Sequence, residues 1–431
     1  MSDTPDMQAA ETGAYAAAPE HGVPVAPVTV AERISSLDFI RGIAVMGILA
    51  ANILAFGQPL MATFSPEAFL TDAGDPDGWL WLTQFVAIDG KMRGLFSLLF
   101  GAGLWLFLMK AEERGATKML AARRLLWLGL FGLIHLYFIW IGDILFLYAA
   151  SGLVLLAFTG MKPANQVILG LLGFIMSALL FTALMGGLYL LTSGGLLDAA
   201  EAAEMQNEIS AGMAEGTKMA DAIIAGDYPA FVAANFSENL WMPLSAISQG
   251  LVETMGLMLI GMGLLRMGFF EGQFDRKKMQ LWGWAGVIGG ALVTAWIGLW
   301  LISTDFDILA GLLSYIGTSA FPRLAMILGM AALMVVYAPA CTGWIGQRVS
   351  AAGRAAFTNY LGTSILMLFV FHGWALGLFG KLSRPELYGI TAIAWIIMLA
   401  WSKPWLDRYR YGPLEWLWRC LTYGKFFPLK R

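Results

Sequence analysis

Three side chains stand where an ionisable group is costly, and all three are candidates for chemistry: His135, Asp143 and Glu253. His135 lies inside the long apolar run of residues 123–152, and Asp143 follows Gly142 at a tight turn within the same run. Glu253 falls about midway along another apolar stretch. Ionisable groups within a membrane span mark functional sites by default, and a neutral imidazole beside a carboxylate is suited to proton transfer. Cys341 and Cys420 have no metal-ligand spacing and imply no disulfide framework, so no metal is expected.

A second set of polar residues accompanies these. Arg124 precedes His135 by eleven residues, close to three helical turns, so the two share one stripe about 16 Å apart in depth. Arg41 and Asn52 repeat the eleven-residue spacing, and Arg354 and His372 are eighteen apart, or five turns. Asp38, Asp89, Arg93 and Asn359 stand at other span ends. This arrangement predicts three helices, each with an arginine at one end and a polar group toward the other, lining a polar path. Every member also has a packing reading. Long basic side chains snorkel to the interface, Asp38 with Arg41 fits an i,i+3 pair, and Asn52 and Asn359 fit interhelical hydrogen bonding. His372, beside Gly373 and Trp374, fits an interfacial histidine.

The elements that must position these residues are membrane helices. Of 431 residues, 58% are hydrophobic and only 13% charged, against about 25% charged in soluble domains. No basic patch interleaved with aromatics suggests nucleic acid, so the expected partner is the lipid bilayer. Residues 1–32 form an Ala/Pro-rich tail lacking a signal peptide's basic start, and are expected to be disordered. Residues 33–403 predict an all-α, polytopic transmembrane bundle of about ten spans. These are residues 36–57, 91–109, a hairpin of two spans within 123–152, then 163–191, 242–267, 279–302, 322–341, 355–378 and 387–401. Residues 79–88 read as an interfacial segment through Trp79 and Trp81, and 193–240 as one long polar extracytoplasmic insertion. Residues 404–431 are basic and Trp-rich, a tail that either lies on the inner leaflet or caps the inner loops.

Charge bias sets the orientation. Lys110, Arg114, Lys118, Arg123 and Arg124 crowd one connection, Arg266 and 276–278 another, and Arg348 and Arg354 a third; alternate connections are acidic or short. The positive-inside rule then places both termini in the cytoplasm, with Lys381 and Arg384 as exceptions.

Arg33-Ile34-Ser35-Ser36-Leu37-Asp38-Phe39-Ile40-Arg41-Gly42 followed by Asn52 resembles the opening of the YeiB-like (DUF418) membrane proteins, a family of unknown function. Residues 96–101, His135 with Gly142-Asp143-Ile144-Leu145, Gly353-Arg354 with Thr358-Asn359-Tyr360, and the tail segment 412–419 look like that family too. The likeness spans about residues 33–425 and implies a multi-pass protein of the bacterial cytoplasmic membrane. The Asp-x-x-Arg-Gly opening is also similar to that of heparan-glucosaminide acetyltransferases, which move an acyl group from cytosolic acyl-CoA to an acceptor across the membrane. Their catalytic histidine, in the first non-cytoplasmic loop, has no counterpart between Gln58 and Ile88. Acyl transfer needs a base, and a neutral imidazole is the usual choice, so His135 is the expected base or acyl carrier, with Asp143 or Glu253 orienting it. Arg41, Arg124 or Arg354 would meet the phosphates of an acyl-CoA, and the outer acceptor stays unnamed. Two other functions stay open: a transporter of a small solute or protons along the same path, and a non-catalytic envelope protein. Oligomeric state is not legible.

Overall fold

A computed structural model of the chain describes residues 35–64, 66–71, 78–193, 197–198, 200–201, 203–205, 207 and 217–431. The expected disordered tail, residues 1–32, lies outside these. So do the acidic positions 72–77 and most of the stretch between 194 and 216.

The described chain is an all-α bundle. Its helices are α1 (Ser35–Gly57), α2 (Gly78–Ala87), α3 (Lys91–Glu112), α4 (Lys118–Phe138), α5 (Leu145–Leu155) and α6 (Pro163–Ser193). Then come α7 (Thr217–Ala225), α8 (Tyr228–Glu238), α9 (Met242–Arg266), α10 (Arg276–Ser303) and α11 (Ile308–Leu312). The last are α12 (Ala320–Tyr337), α13 (Trp344–Arg354), α14 (Ala356–Phe371), α15 (Arg384–Arg408) and α16 (Pro413–Tyr423). Among the described residues there is no strand, only one isolated bridge between Tyr409 and Lys430.

Among the described residues eight helices are long and apolar enough to cross a membrane, or nine when the bent pair α13–α14 is taken as one span. The expected ten therefore needs two corrections. The fourth span is short: α5 has 11 residues, extended by a 3-residue 3-10 turn. At 1.5 Å per residue that is roughly 21 Å, less than the ~30 Å hydrocarbon core. The ninth is broken, bending by 86° between Arg354 and Ala356. A third correction concerns residues 79–88, which are not a separate interfacial segment. They form α2, which runs on with α3 as one 35-residue span, Gly78–Glu112.

The core lies where α1, α3, α9 and α12 meet, with Ile40, Val45, Leu95, Leu98, Leu257, Met258 and Ile327 buried together. Backbones touch directly at α3 and α9. A Cβ on Gly101 would lie 1.9 Å from the Met258 carbonyl oxygen, and one on Gly261 1.8 Å from that of Leu98. Small residues permit such approach where apolar side chains gain nothing by leaving lipid. Helices α6 and α10 form the rim, exposing Leu172, Met176, Leu180, Trp282, Leu292 and Trp296 to the bilayer.

Candidate functional site

The local chain around His135 is built for close approach. Helix α4 ends at Phe138, and both Ile139 and Trp140 donate their backbone N–H to the His135 carbonyl. The chain turns through Gly142 and enters α5, whose first turn is capped by Asp143: its Oδ2 accepts from the Phe146 backbone N–H at 2.8 Å. Gly132 makes room for this, since a Cβ there would lie 2.5 Å from that same nitrogen. The other carboxylate oxygen, Oδ1, is 2.9 Å from His135 Nδ1, and both side chains are fully buried. With Asp143 as a carboxylate, Nδ1 is the donor in this bond, and a neutral imidazole then carries its lone pair on Nε2. Nε2 is buried and has no hydrogen-bond partner among the described residues. The Tyr360 ring packs 5.2 Å from the imidazole, centroid to centroid.

Beside this pair lies a cavity of about 340 Å³ between α1, α3, α4, α5, α13, α14 and α16. One end is charged, lined by Asp38, Arg41, Lys110, Arg124, Arg354, Glu415 and Arg419. Its walls are apolar, with Phe96, Leu99, Phe100, Leu104, Leu125 and Leu128. Ile144, Leu145, Tyr148 and Tyr360 line it as well. Ile144 adjoins Asp143 and Tyr360 packs on His135, so the buried pair lies behind this wall of the cavity and does not itself line it. Tyr148 is held in place by Ser97 Oγ at 2.7 Å and by donating to the Arg93 carbonyl at 3.0 Å.

The C-terminal tail completes the charged end. Helix α16 packs on α4 and α14, so the tail caps the bundle rather than lying apart on a leaflet. The Arg124 guanidinium sits between two rings, 3.6 Å from Trp418 and 4.8 Å from Phe107. Glu415 reaches under α14 and accepts from the Phe357 and Thr358 backbone N–H groups at 2.8 and 3.1 Å, and from Thr358 Oγ1 at 2.5 Å. It thus caps the helix that starts after the 86° bend. Burial pushes its carboxyl above the ordinary 4.5, against the pull of these donors.

Of the residues singled out in the sequence, the structure brings Asp38, Arg41, Arg124 and Arg354 together on the cavity, with Asp38 and Arg41 paired at 3.0 Å. His135 and Asp143 meet beyond its inner end. Glu253 does not join them. It accepts from Arg93 at 3.1 Å and Arg323 at 3.3 Å, forming a separate, partly buried triad. Asp89 belongs next to that triad and accepts from Gln84 at 3.0 Å. Asn52 is half-buried on α1. Asn359 is committed to the bend: it donates to the Ala352 carbonyl and Ser402 Oγ and accepts from Trp401 Nε1. His372 is not on one helical face with Arg354, because the bend separates them. It lies at the opposite end, buried against the Phe231 ring of α8, and burial lowers its imidazole from 6.5 to about 4.

Sequence reasoning missed Tyr148, Tyr360, Lys110, Glu415, Trp418 and Arg419 as site residues. The tail segment Gly-Pro-Leu-Glu-Trp was a visible motif, but nothing in its composition says that it folds back under α14. Arg323 and Arg384 were also missed. Arg384, an exception to the charge bias, is fully buried and donates to Gln84 Oε1 at 3.0 Å, while the Tyr388 hydroxyl donates to the same oxygen.

The family described as "Protein of unknown function (DUF418)" matches residues 264–425. The chain is also 31% identical over 400 residues to the "Uncharacterized protein YeiB" of Escherichia coli (strain K12), covering 91% of this chain and 96% of that one. It belongs to the YeiB-like DUF418 family. Another YeiB-like relative is the "Uncharacterized protein YxaH" of Bacillus subtilis (strain 168), 29% identical over 426 residues, with 94% and 98% of the two chains covered. No solved structure matches this YeiB-like chain.

Proposed function

We propose that this integral, multi-pass membrane protein is an acyltransferase that takes its acyl group from an acyl-CoA held in the charged-ended cavity. The observation that carries this reading is the form of that cavity. Among the described residues Arg41, Lys110, Arg124, Arg354 and Arg419 gather with Asp38 and Glu415 at one end, and guanidinium and ammonium groups so clustered suit the phosphates of CoA. The apolar walls beyond suit a pantetheine arm and acyl chain. Behind the Ile144 and Tyr360 wall of the cavity stands a histidine oriented by a buried carboxylate. In the proposed step, His135 Nε2 takes the proton of an acceptor hydroxyl or amine as its oxygen or nitrogen attacks the thioester carbonyl. The carbon–sulfur bond breaks, and the CoA thiolate leaves and recovers the proton. Asp143 stabilises the imidazolium in between. The charged end is cytosolic on this reading, as the positive-inside rule requires. Transport of a solute or protons along the same path is favoured less, because the cavity closes on Tyr148 and Tyr360.

The test is CoA binding to the purified protein in nanodiscs, followed by acyl transfer from radiolabelled acetyl-CoA. Saturable binding, weakened about tenfold or more in Arg124→Gln or Arg354→Gln as loss of a charged hydrogen bond entails, supports the reading. An absence of saturable CoA binding to the folded protein sinks it.

A further inference from the structure

Away from the cavity, three helices bring charges together inside the bundle. Arg93 comes from the first turn of α3, Glu253 from the middle of α9 and Arg323 from the first turn of α12. Both arginines donate to the same oxygen, Glu253 Oε1. The triad therefore holds two cations against one anion. The surroundings do not balance it. Lys91, almost fully buried, donates to the Phe85 carbonyl at 2.5 Å, and Asp89 offsets only that one charge. Among the described residues, Arg93, Arg323 and Lys91 thus face Glu253 and Asp89 in this region.

Two further observations show room for another acceptor. Arg323 Nε is buried and has no hydrogen-bond partner among the described residues. Arg93 is 37% exposed although it lies well inside the 35-residue span Gly78–Glu112. It offers five N–H donors in a fork, and the structure uses one of them on Glu253. Space for the Arg323 guanidinium is made by Gly90. This residue has φ +73, and a Cβ there would lie 2.5 Å from Arg323 Cδ and 2.6 Å from Nη1. Surplus positive charge at membrane depth is expensive, and an oxyanion on the free side of the arginine pair would neutralise it through charge-assisted hydrogen bonds.

We propose that Arg93 and Arg323, held apart by Glu253, form a binding site for a small oxyanion, a carboxylate or phosphate group. If the acyl-transfer reading holds, this group belongs to the acceptor, because α3 links the two sites. Arg93, Phe96, Phe100, Gly103, Phe107 and Lys110 follow one another at helical spacing along α3, and all but Arg93 line the cavity. Oxyanion binding itself does not depend on that reading.

The experiment titrates purified protein with inorganic phosphate, and separately with acetate, by thermal shift and calorimetry against chloride at equal ionic strength. Native mass spectrometry of the same preparation reads any retained phospholipid. Wild type should bind phosphate saturably or retain one phospholipid, and Arg93→Gln should weaken binding by about ten-fold or more or lose the lipid. Arg354→Gln, in the cavity, should leave the retained lipid and the Arg93-dependent part of the phosphate binding unchanged. A free oxyanion is the source if phosphate titrates and no lipid is retained; a headgroup is the source if the lipid is retained. Should Arg93→Gln fail to fold, Arg93→Lys keeps the charge and loses the fork, and weaker phosphate binding or lipid loss still supports the site. Phosphate affinity and lipid content unchanged by the folded Arg93 variant overturn the proposal. Phosphate binding at Arg93 in a protein that never binds CoA overturns only the acyl-transfer reading.

Discussion

Arg124 and Trp418 are joined twice: the guanidinium lies 3.6 Å from the indole ring, and the indole Nε1 donates to the Arg124 carbonyl at 2.8 Å. The residues are 294 positions apart. One pair therefore fastens the C-terminal helix α16 to α4 and aims a cation at the cavity's charged end. Trp418→Phe keeps a ring for the cation and loses one hydrogen bond, a cost of about 1 kcal/mol. Trp418→Ala loses both and should cost about 2 kcal/mol more. Melting curves in detergent should rank wild type, then Phe, then Ala, and an Ala variant as stable as the Phe variant would contradict the stacking role.

Chemistry and packing separate at His135. Loss of a general base costs about 10²- to 10⁴-fold in rate, whereas a membrane-embedded hydrogen bond averages only ~0.6 kcal/mol. His135→Gln should therefore express and melt near wild type, bind CoA normally and fail in acyl transfer. Full transfer activity in this variant would reduce the His135–Asp143 bond to packing.

Glu415 makes tail docking pH-dependent. Its carboxyl is raised in the folded protein by burial, so the fold binds this proton more tightly than the unfolded chain does. Its stabilising contribution is complete below the ordinary 4.5 and is lost as pH rises through the raised value. Glu415→Gln removes that titration, so its melting temperature should fall less than wild type's as pH rises from about 4.5. Parallel wild-type and variant profiles would show that the carboxyl does not titrate there.

His372 acts with the opposite sign. Burial lowers its imidazole from 6.5 to about 4, so the folded state resists protonation. The contribution is present above 6.5 and is lost as pH falls through 4. Hydrogen exchange in α7 and α8, which cover this end, should accelerate across that window in wild type and stay flatter in His372→Gln. Equal acceleration in both would assign the acid sensitivity elsewhere.

Asn359 tests the bend. Its amide satisfies the Ala352 carbonyl, Ser402 Oγ and Trp401 Nε1 at once, and Asn359→Ala leaves those groups buried without it. Each buried group left unsatisfied costs about 1–3 kcal/mol, so the variant should melt well below wild type. It should also weaken CoA binding, because the same bend places Arg354 and Tyr360 on the cavity. A variant of unchanged stability would show that the bend holds without this amide.

The sequence alone determined the class of the molecule and most of its spans. Twenty-residue apolar runs have few alternatives to membrane helices, and all ten proposed stretches contain helix. It also offered Asp143, alongside Glu253, as the group orienting His135, and local chain geometry across the short turn suffices for the Asp143 pairing seen in the structure. Distant partners were decided only in three dimensions. Nothing near Glu253 names Arg93 or Arg323 as its partners, and nothing near residue 355 signals an 86° bend, since the carboxylate that caps the next helix comes from Glu415. Periodicity extends only as far as a helix stays straight, so the five-turn link of Arg354 to His372 failed there. The cavity itself is a product of packing. Its lining comes from seven helices, and which face each turns inward is set by close backbone contacts, such as Gly101 on Met258, that one-dimensional patterning does not specify.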